Sequence, residues 1–127
     1  MSLSDSKAVA AIAVSDMGKA KEFYEGKVGL SNGEERSDGG TSYPCAGGTI
    51  LHVYPSPDNA GKSSATLAAF QVDDIDSEVG ELSGNGVSFE SYDDFDQDDK
   101  GVASLGPDKV AWFKDPDGNT LGVWQQG

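Results

Sequence analysis

The sequence is poor in the residues that build disulfides and Cys/His metal centres. Its 127 residues include one cysteine, Cys45, and one histidine, His52. One cysteine cannot form a disulfide within the chain, and one residue of each type leaves little for a zinc cluster or a Cys–His catalytic pair. Both kinds of site are therefore disfavoured.

Positive charge is also scarce. Nine Lys and Arg residues stand against 22 Asp and Glu residues, which gives a net charge of −13, and Arg36 is the only arginine. No basic patch could neutralise many phosphates, so we expect no nucleic-acid binding. The acidic run over residues 93–99 lacks calcium-loop spacing, because Asp99 and Leu105 stand where an EF-hand loop needs glycine and glutamate. It is interpreted as a solvated loop.

Long hydrophobic runs are absent. Hydrophobic residues make up 36% of the chain, and no apolar run approaches the ~20 residues that cross a bilayer. The polar N-terminus does not resemble a secretory signal. We therefore expect a cytoplasmic protein that does not enter a membrane, and its length predicts a single domain over residues 1–127.

Glycine, by contrast, is abundant, and a strand–cap–helix pattern occurs twice. The apolar run 8–14 is followed by Ser15-Asp16 and by helical spacing up to Gly29. The run 67–72 is followed by Asp73-Asp74 and by the same spacing. The closing segments 49–54 and 119–124 also match each other. These repeats predict one module over residues 8–54, a linker over 55–65 and a second module over 66–126.

The duplicated pattern resembles a known superfamily. The segments that carry the resemblance are Val14–Met17, Phe70–Ile75 and the turn Asp115-Pro116-Asp117-Gly118-Asn119. They are similar to the vicinal oxygen chelate superfamily, which holds glyoxalases, bleomycin-resistance proteins and extradiol dioxygenases. The resemblance implies an α+β fold of two βαβββ modules, whose strands form a curved mixed sheet around a cup, and it implies a homodimer.

The resemblance also implies where metal-using members carry their ligands. The four positions fall on Val9 and Leu67 in the first strand of each module, and on His52 and Gly122 in the closing strands. Only His52 has a side chain that could bind a metal, whereas a catalytic site generally needs about three protein ligands. The expectation is therefore no metal ion and no cofactor.

Strand alternation divides the remaining side chains between two faces. The face that would line the cup carries His52, Tyr54, Gln71 and Trp124, with Tyr43 and Trp112 as weaker candidates because their facing is undecided. The opposite face is uniformly apolar and is predicted to be core. A few polar groups among small apolar residues are typical of a binding cavity, although Tyr54 and Trp124 could equally cap the core or cover a dimer contact.

The leading hypothesis is a metal-independent, glyoxalase-like or bleomycin-resistance-like protein that binds a small organic molecule. Negative charge and aromatic residues would favour a planar or cationic ligand. The alternative is an enzyme of the same superfamily. It would be a lyase, an isomerase or a dioxygenase that uses His52 or Tyr54, with a further carboxylate from Glu90 or Asp108, or that uses a misaligned metal site. A third possibility is a scaffold whose cup is filled by bulky side chains.

Overall fold

The computed structural model describes residues 3–127. Its strands are β1 (Val9–Val14), β2 (Glu34–Glu35), β3 (Thr41–Pro44), β4 (Ile50–Pro55), β5 (Thr66–Gln71), β6 (Ala103–Leu105), β7 (Asp108–Lys114) and β8 (Thr120–Gln125). The helices are α1 (Met17–Lys21), extended by a π-helical turn over Glu22–Lys27, and α2 (Ile75–Gly84), with short 3-10 turns at Leu3–Asp5 and Ala46–Gly48. None of the helices in this range is long and apolar enough to cross a membrane.

Each module forms a four-stranded mixed sheet. The strand orders are β1-β4-β3-β2 and β5-β8-β7-β6, and the first strand of each module runs parallel to the last. The predicted α+β fold of two βαβββ modules is confirmed, with one refinement: the strands form two sheets rather than one continuous sheet. β1 and β5 are edge strands of their sheets, and they approach each other without ladder hydrogen bonds.

Acidic caps begin both helices where the sequence predicts them. The Asp16 carboxylate accepts hydrogen bonds from the backbone N–H groups of Gly18 and Lys19. The Asp74 carboxylate accepts one from the backbone N–H of Ser77. A side chain that satisfies the free N–H groups of the first turn fixes the start of a helix. The repeated Asp therefore ends each first strand and turns the chain across its sheet.

A large hydrophobic core joins the modules, and a separate small cluster of Ala103, Val110 and Trp112 lies on the other face of the second sheet. The large core contains the predicted core face of both sheets and the inner faces of both helices, and its most deeply buried members include Ile12, Val53, Val79, Phe113 and Leu121. The strand alternation read from the sequence is thus correct for these strands. The opposite face of each sheet is left to form the cup.

Polar contacts also tie the modules together. The Tyr24 hydroxyl donates to the carboxylate of Asp115 at 2.8 Å, and both groups are buried. The Asn119 side chain donates to the carbonyl oxygen of Ala13 and accepts from the backbone N–H of Gly61. The Asp-Pro-Asp-Gly-Asn turn therefore holds the end of β1 and the segment between the modules against β8.

Candidate functional site

A cleft with a volume of about 740 Å³ lies between the facing edges of β1 and β5. It is lined by residues drawn from segments 8–10, 45–51 and 68–73 and by Trp124, and we call it the cleft. Near Ala13 the modules are held together through Asn119. Toward Val9, the two edges instead line an open space. The cleft thus lies beside the start of β1, away from the contact that Asn119 makes near the end of this strand.

Two of the predicted site residues, Gln71 and Trp124, line the cleft together. They are partners in the parallel ladder between β5 and β8, so their side chains lie next to each other on the cup face. Cys45 lines the opposite wall, and partial burial raises the pKa of its thiol. A protonated thiol is a poor nucleophile, which disfavours a reactive role for Cys45.

His52 and Tyr54 lie on the cup face of the first sheet, outside the residues that line the cleft. Their rings stack with centroids 5.8 Å apart. Both nitrogens of His52 are already hydrogen-bonded: Nε2 to the Asp38 carboxylate at 2.7 Å, and Nδ1 to the Ser42 hydroxyl at 2.9 Å. Arg36 Nε also donates to that hydroxyl.

This chain of hydrogen bonds fixes the ring's tautomer. A carboxylate only accepts, so Nε2 carries a proton toward Asp38, and Nδ1 of the neutral ring accepts from Ser42. The carboxylate that the enzyme hypothesis requires beside His52 is therefore Asp38. Glu90 instead pairs with Lys114, and Asp108 accepts from the backbone N–H of Gly127.

We expect replacement of His52 with leucine to raise the pKa of Asp38 toward its ordinary value of 3.8. The hydrogen bond from His52 is the main cause that lowers this pKa, and the backbone N–H of Gly40 contributes a smaller part, which would remain. A carboxyl pKa that is lowered by folding stabilises the folded protein at pH values above the ordinary carboxyl pKa. This stabilisation is lost as the pH falls through the folded pKa, which lies below 3.8. An NMR titration of the side-chain carboxyl carbon measures the change. An unchanged pKa would contradict the pairing.

Tyr43 departs from its predicted role in ligand binding. It pairs with Leu51 in the antiparallel ladder between β3 and β4, which puts its ring on the core face. It is 1% exposed, and its hydroxyl donates to Glu25 at 2.7 Å. Burial and this carboxylate raise the pKa of Tyr43. Tyr43 is a core residue that anchors β3 to the turn after α1.

Trp112 lies on the cup face, opposite Gly122, but at the far side of the second sheet from the cleft. The rings of Tyr92 and Phe95, from the segment before β6, cover it with centroids 5.3 and 4.9 Å away. The acidic segment over residues 93–99 is therefore not simply the solvated loop that the sequence predicts. Part of it folds back over the cup face, where Phe95 contacts Trp112.

The four positions of the superfamily's metal ligands do not fit a metal ion. Val9 is aliphatic, Gly122 has no side chain, and both nitrogens of His52 are engaged. Leu67 is also aliphatic, and a β-bulge between Thr66 and Ala68 leaves it out of the ladder. No group of three or more His, Cys, Asp or Glu residues within residues 3–127 is arranged to hold a metal.

Five residues near the candidate site were missed by sequence reasoning. They are Asp38, Ser42, Tyr92, Asp94 and Phe95. Ser42 precedes Tyr43 on β3, so alternation would have placed it beside His52 once Tyr43 was known to be buried. The other four lie in loops, where no periodicity indicates which way a side chain points.

The comparisons with known proteins agree with this architecture. The family described as the glyoxalase/bleomycin resistance protein/dioxygenase superfamily matches residues 8–123. The chain matches no curated protein significantly. Among solved structures, TnmS3, an antibiotic binding protein from Streptomyces sp. CB03234, is 25% identical with a TM-score of 0.72, and the match covers 95% of both chains.

Two further structures are similar over almost the whole chain. A glyoxalase/bleomycin resistance protein from the same Streptomyces strain is 27% identical with a TM-score of 0.70, over 93% of this chain and 98% of that one. A putative glyoxalase family protein from Bacillus anthracis has a TM-score of 0.74 at 19% identity, over 97% and 96% of the two chains. The last similarity concerns the fold alone.

Proposed function

The chain belongs to the glyoxalase/bleomycin resistance protein/dioxygenase superfamily, and we propose that it binds a small organic molecule in the cleft without the help of a metal ion. The observation that carries this proposal is the cleft itself. Its volume of about 740 Å³ lies within the range of pockets that take drug-sized ligands.

The chemistry of the walls supports an organic ligand. Alanine, valine, isoleucine, leucine and phenylalanine side chains make up most of the lining, with Gln71 and Trp124 on one wall. The amide of Gln71 can both donate and accept a hydrogen bond, and the indole of Trp124 offers an apolar ring with one donor. Apolar walls with a few polar groups orient a ligand without reacting with it.

The similarity to solved structures supports the same conclusion. One relative, at 25% identity over 95% of both chains, is named an antibiotic binding protein. A second, at 27% identity, is named a glyoxalase/bleomycin resistance protein. Metal independence is supported by the donor set, because the positions at Val9, Leu67 and Gly122 supply no metal-binding side chain.

We expect the Ala69→Phe variant to bind a neutral fluorescent probe, N-phenyl-1-naphthylamine, at least about tenfold more weakly than the original protein. Ala69 is an exposed residue on the cleft wall, and a ring placed there would occupy the ligand's space at a cost of roughly 1–3 kcal/mol. Ala11→Phe is the matched control, because Ala11 is an exposed residue on the same face but outside the cleft. Equal binding by both variants would contradict the assignment.

The same protein samples serve for the measurement of probe binding and for the metal test. Trp112→Phe leaves Trp124 as the sole indole, so energy transfer from it to the probe reports occupation of the cleft. Chelator-treated protein should bind the probe equally well, and nickel, zinc, manganese and iron should not shift the melting temperature. Stoichiometric metal that is lost in the His52→Ala variant would overturn the metal-independent proposal.

A metal-free lyase or isomerase is the second candidate. The hydrogen-bonded chain Asp38–His52–Ser42 favours it, since a carboxylate that orients an imidazole is a common arrangement for a general base. Such an enzyme would catalyse the exchange of an acidic proton of the ligand with deuterated water. If the His52→Gln variant lost this exchange but still bound ligand in the cleft, catalysis would become the primary function. The homodimer and the cytoplasmic location stay predictions, and sedimentation analysis tests the first.

A further inference from the structure

A second, smaller cavity lies on the cup face of the second sheet and shares no lining residue with the cleft. It has a volume of about 230 Å³, and we call it the aromatic pocket; it is lined by Thr66, Tyr92, Asp94, Phe95, Trp112 and Thr120. We propose that the aromatic pocket binds a protonated primary or secondary amine. This inference goes beyond the proposed function, because it holds whether or not the cleft takes a ligand.

Three aromatic rings give the pocket affinity for a cation. Tyr92, Phe95 and Trp112 contact one another with centroids 4.9 to 6.4 Å apart. Phe95 remains 38% exposed, although it is large and apolar. The negative faces of aromatic rings attract ammonium groups, and tryptophan does so most strongly. The rings therefore offer an apolar surface that also suits positive charge.

The charge around the pocket has one sign. Asp94 lines the pocket, and no Lys, Arg or His is among the residues that line it. Asp93 and Asp96 flank this segment in sequence, and the whole chain carries a net charge of −13. Such a field raises the local concentration of cations and repels anions. An anionic ligand is therefore disfavoured in this pocket.

Thr120 supplies the observation that selects an amine with N–H groups. Thr120 is 2% exposed, and its hydroxyl oxygen is buried without a hydrogen-bond partner among the residues that the structure describes. It lies on the cup face, because it precedes Gly122 by two residues on β8, and it lines the aromatic pocket. A buried hydroxyl without a partner is unfavourable, and an ammonium N–H would satisfy it. A quaternary ammonium has no N–H and would not.

The test compares three probes that share a butyl chain, at matched ionic strength: n-butylammonium chloride, butyltrimethylammonium chloride and 1-butanol. The Trp124→Phe variant leaves Trp112 as the only indole, and the shift of its N–H signal in NMR reports binding. We expect the primary amine to bind most tightly and 1-butanol at least about tenfold more weakly, because 1-butanol lacks the charge. Equal affinity for 1-butanol would overturn the proposal.

Substitutions of Asp94 and Thr120 separate the contributions of the carboxylate and of the hydroxyl group, and Asp93→Asn serves as a control. Asp94→Asn should weaken both ammonium probes by several-fold, whereas Asp93→Asn, which alters the neighbouring residue outside the pocket, should have much less effect. Thr120→Val should weaken only the primary amine, by about tenfold. It should leave the melting temperature unchanged or raised, because it removes an unpaired buried hydroxyl. Loss of affinity for the quaternary probe in Thr120→Val, or equal effects of the two Asp variants, would contradict the assignment.

Discussion

Replacement of Asp115 with alanine is expected to lower the free energy of unfolding by about 3–5 kcal/mol. The Asp115 carboxylate is 5% exposed and accepts hydrogen bonds from the Tyr24 hydroxyl and from the Asn119 side chain. It also accepts from the backbone N–H groups of Asp117 and Asn119. Its removal leaves several donors unpaired, two of them on buried side chains, at about 1–3 kcal/mol each. Urea unfolding followed by circular dichroism measures the loss.

Milder variants test whether the loss of stability comes from the hydrogen bonds of Asp115. Tyr24→Phe removes one donor and should cost about 1–2 kcal/mol. Burial and Asp115 both raise the pKa of Tyr24, so its phenol stays protonated and donates at neutral pH. In a double-mutant cycle the two losses should add to more than the loss in the double variant. Full additivity would mean that the inter-module hydrogen bond contributes nothing.

Asp115→Asn and Asp93→Ala complete the set. The amide keeps the volume of the carboxylate but offers one acceptor fewer, so we expect an intermediate loss and a variant that still folds. Asp93 is exposed in the acidic segment, and its replacement should change stability by no more than about 0.5 kcal/mol. A comparable loss in Asp93→Ala would indicate a general effect of charge rather than the buried network.

The sequence predicts much of the fold because most of it depends on local rules. Alternation in β4 separates Leu51 and Val53 from His52, and the structure buries the first two. Asp16 and Asp74 cap the helices that they were expected to begin. These features depend on hydrogen bonds and side-chain directions within a few residues, so no knowledge of distant contacts is needed.

Other features depend on distant parts of the chain. β3 has only four residues and includes Pro44, so the facing of Tyr43 follows from its pairing with Leu51 rather than from its own pattern. The bulge at Leu67 changes the alternation in β5 within one residue. A bulge depends on the partner strand, because the extra residue is the one that has no partner there.

The candidate site divides in the same way. Gln71 and Trp124 come together at the cleft because both strands obey the alternation read from the sequence. The pairing of His52 with Asp38 could not be predicted, since Asp38 lies in a loop 14 residues away. The cover of Trp112 by Phe95 is likewise a tertiary contact made by a loop without periodicity. Strand positions are thus predictable, whereas loop contributions to both cavities are not.

Replacement of Gly61 with alanine is expected to destabilise the protein by about 2–4 kcal/mol, which sums the cost of a left-handed backbone and that of a steric overlap. Gly61 lies between the modules with φ +67°, and an added Cβ would collide with the backbone oxygen of Asp117. Moving away would break the hydrogen bond from the Gly61 N–H to Asn119. Thermal and urea unfolding measure the loss.

Gly80→Ala is the matched control, because the same added methyl group should act in the opposite direction. Gly80 is exposed inside α2, and nothing lies within 4 Å of its added Cβ. Alanine there should stabilise the protein by about 0.5–1 kcal/mol through its helix propensity. Gly61→Asn separates the two causes at Gly61, since asparagine tolerates a positive φ but carries the same Cβ. If Asn restores stability, the backbone conformation accounts for the loss. If Asn is as destabilising as Ala, the close approach to Asp117 is the constraint that joins the modules.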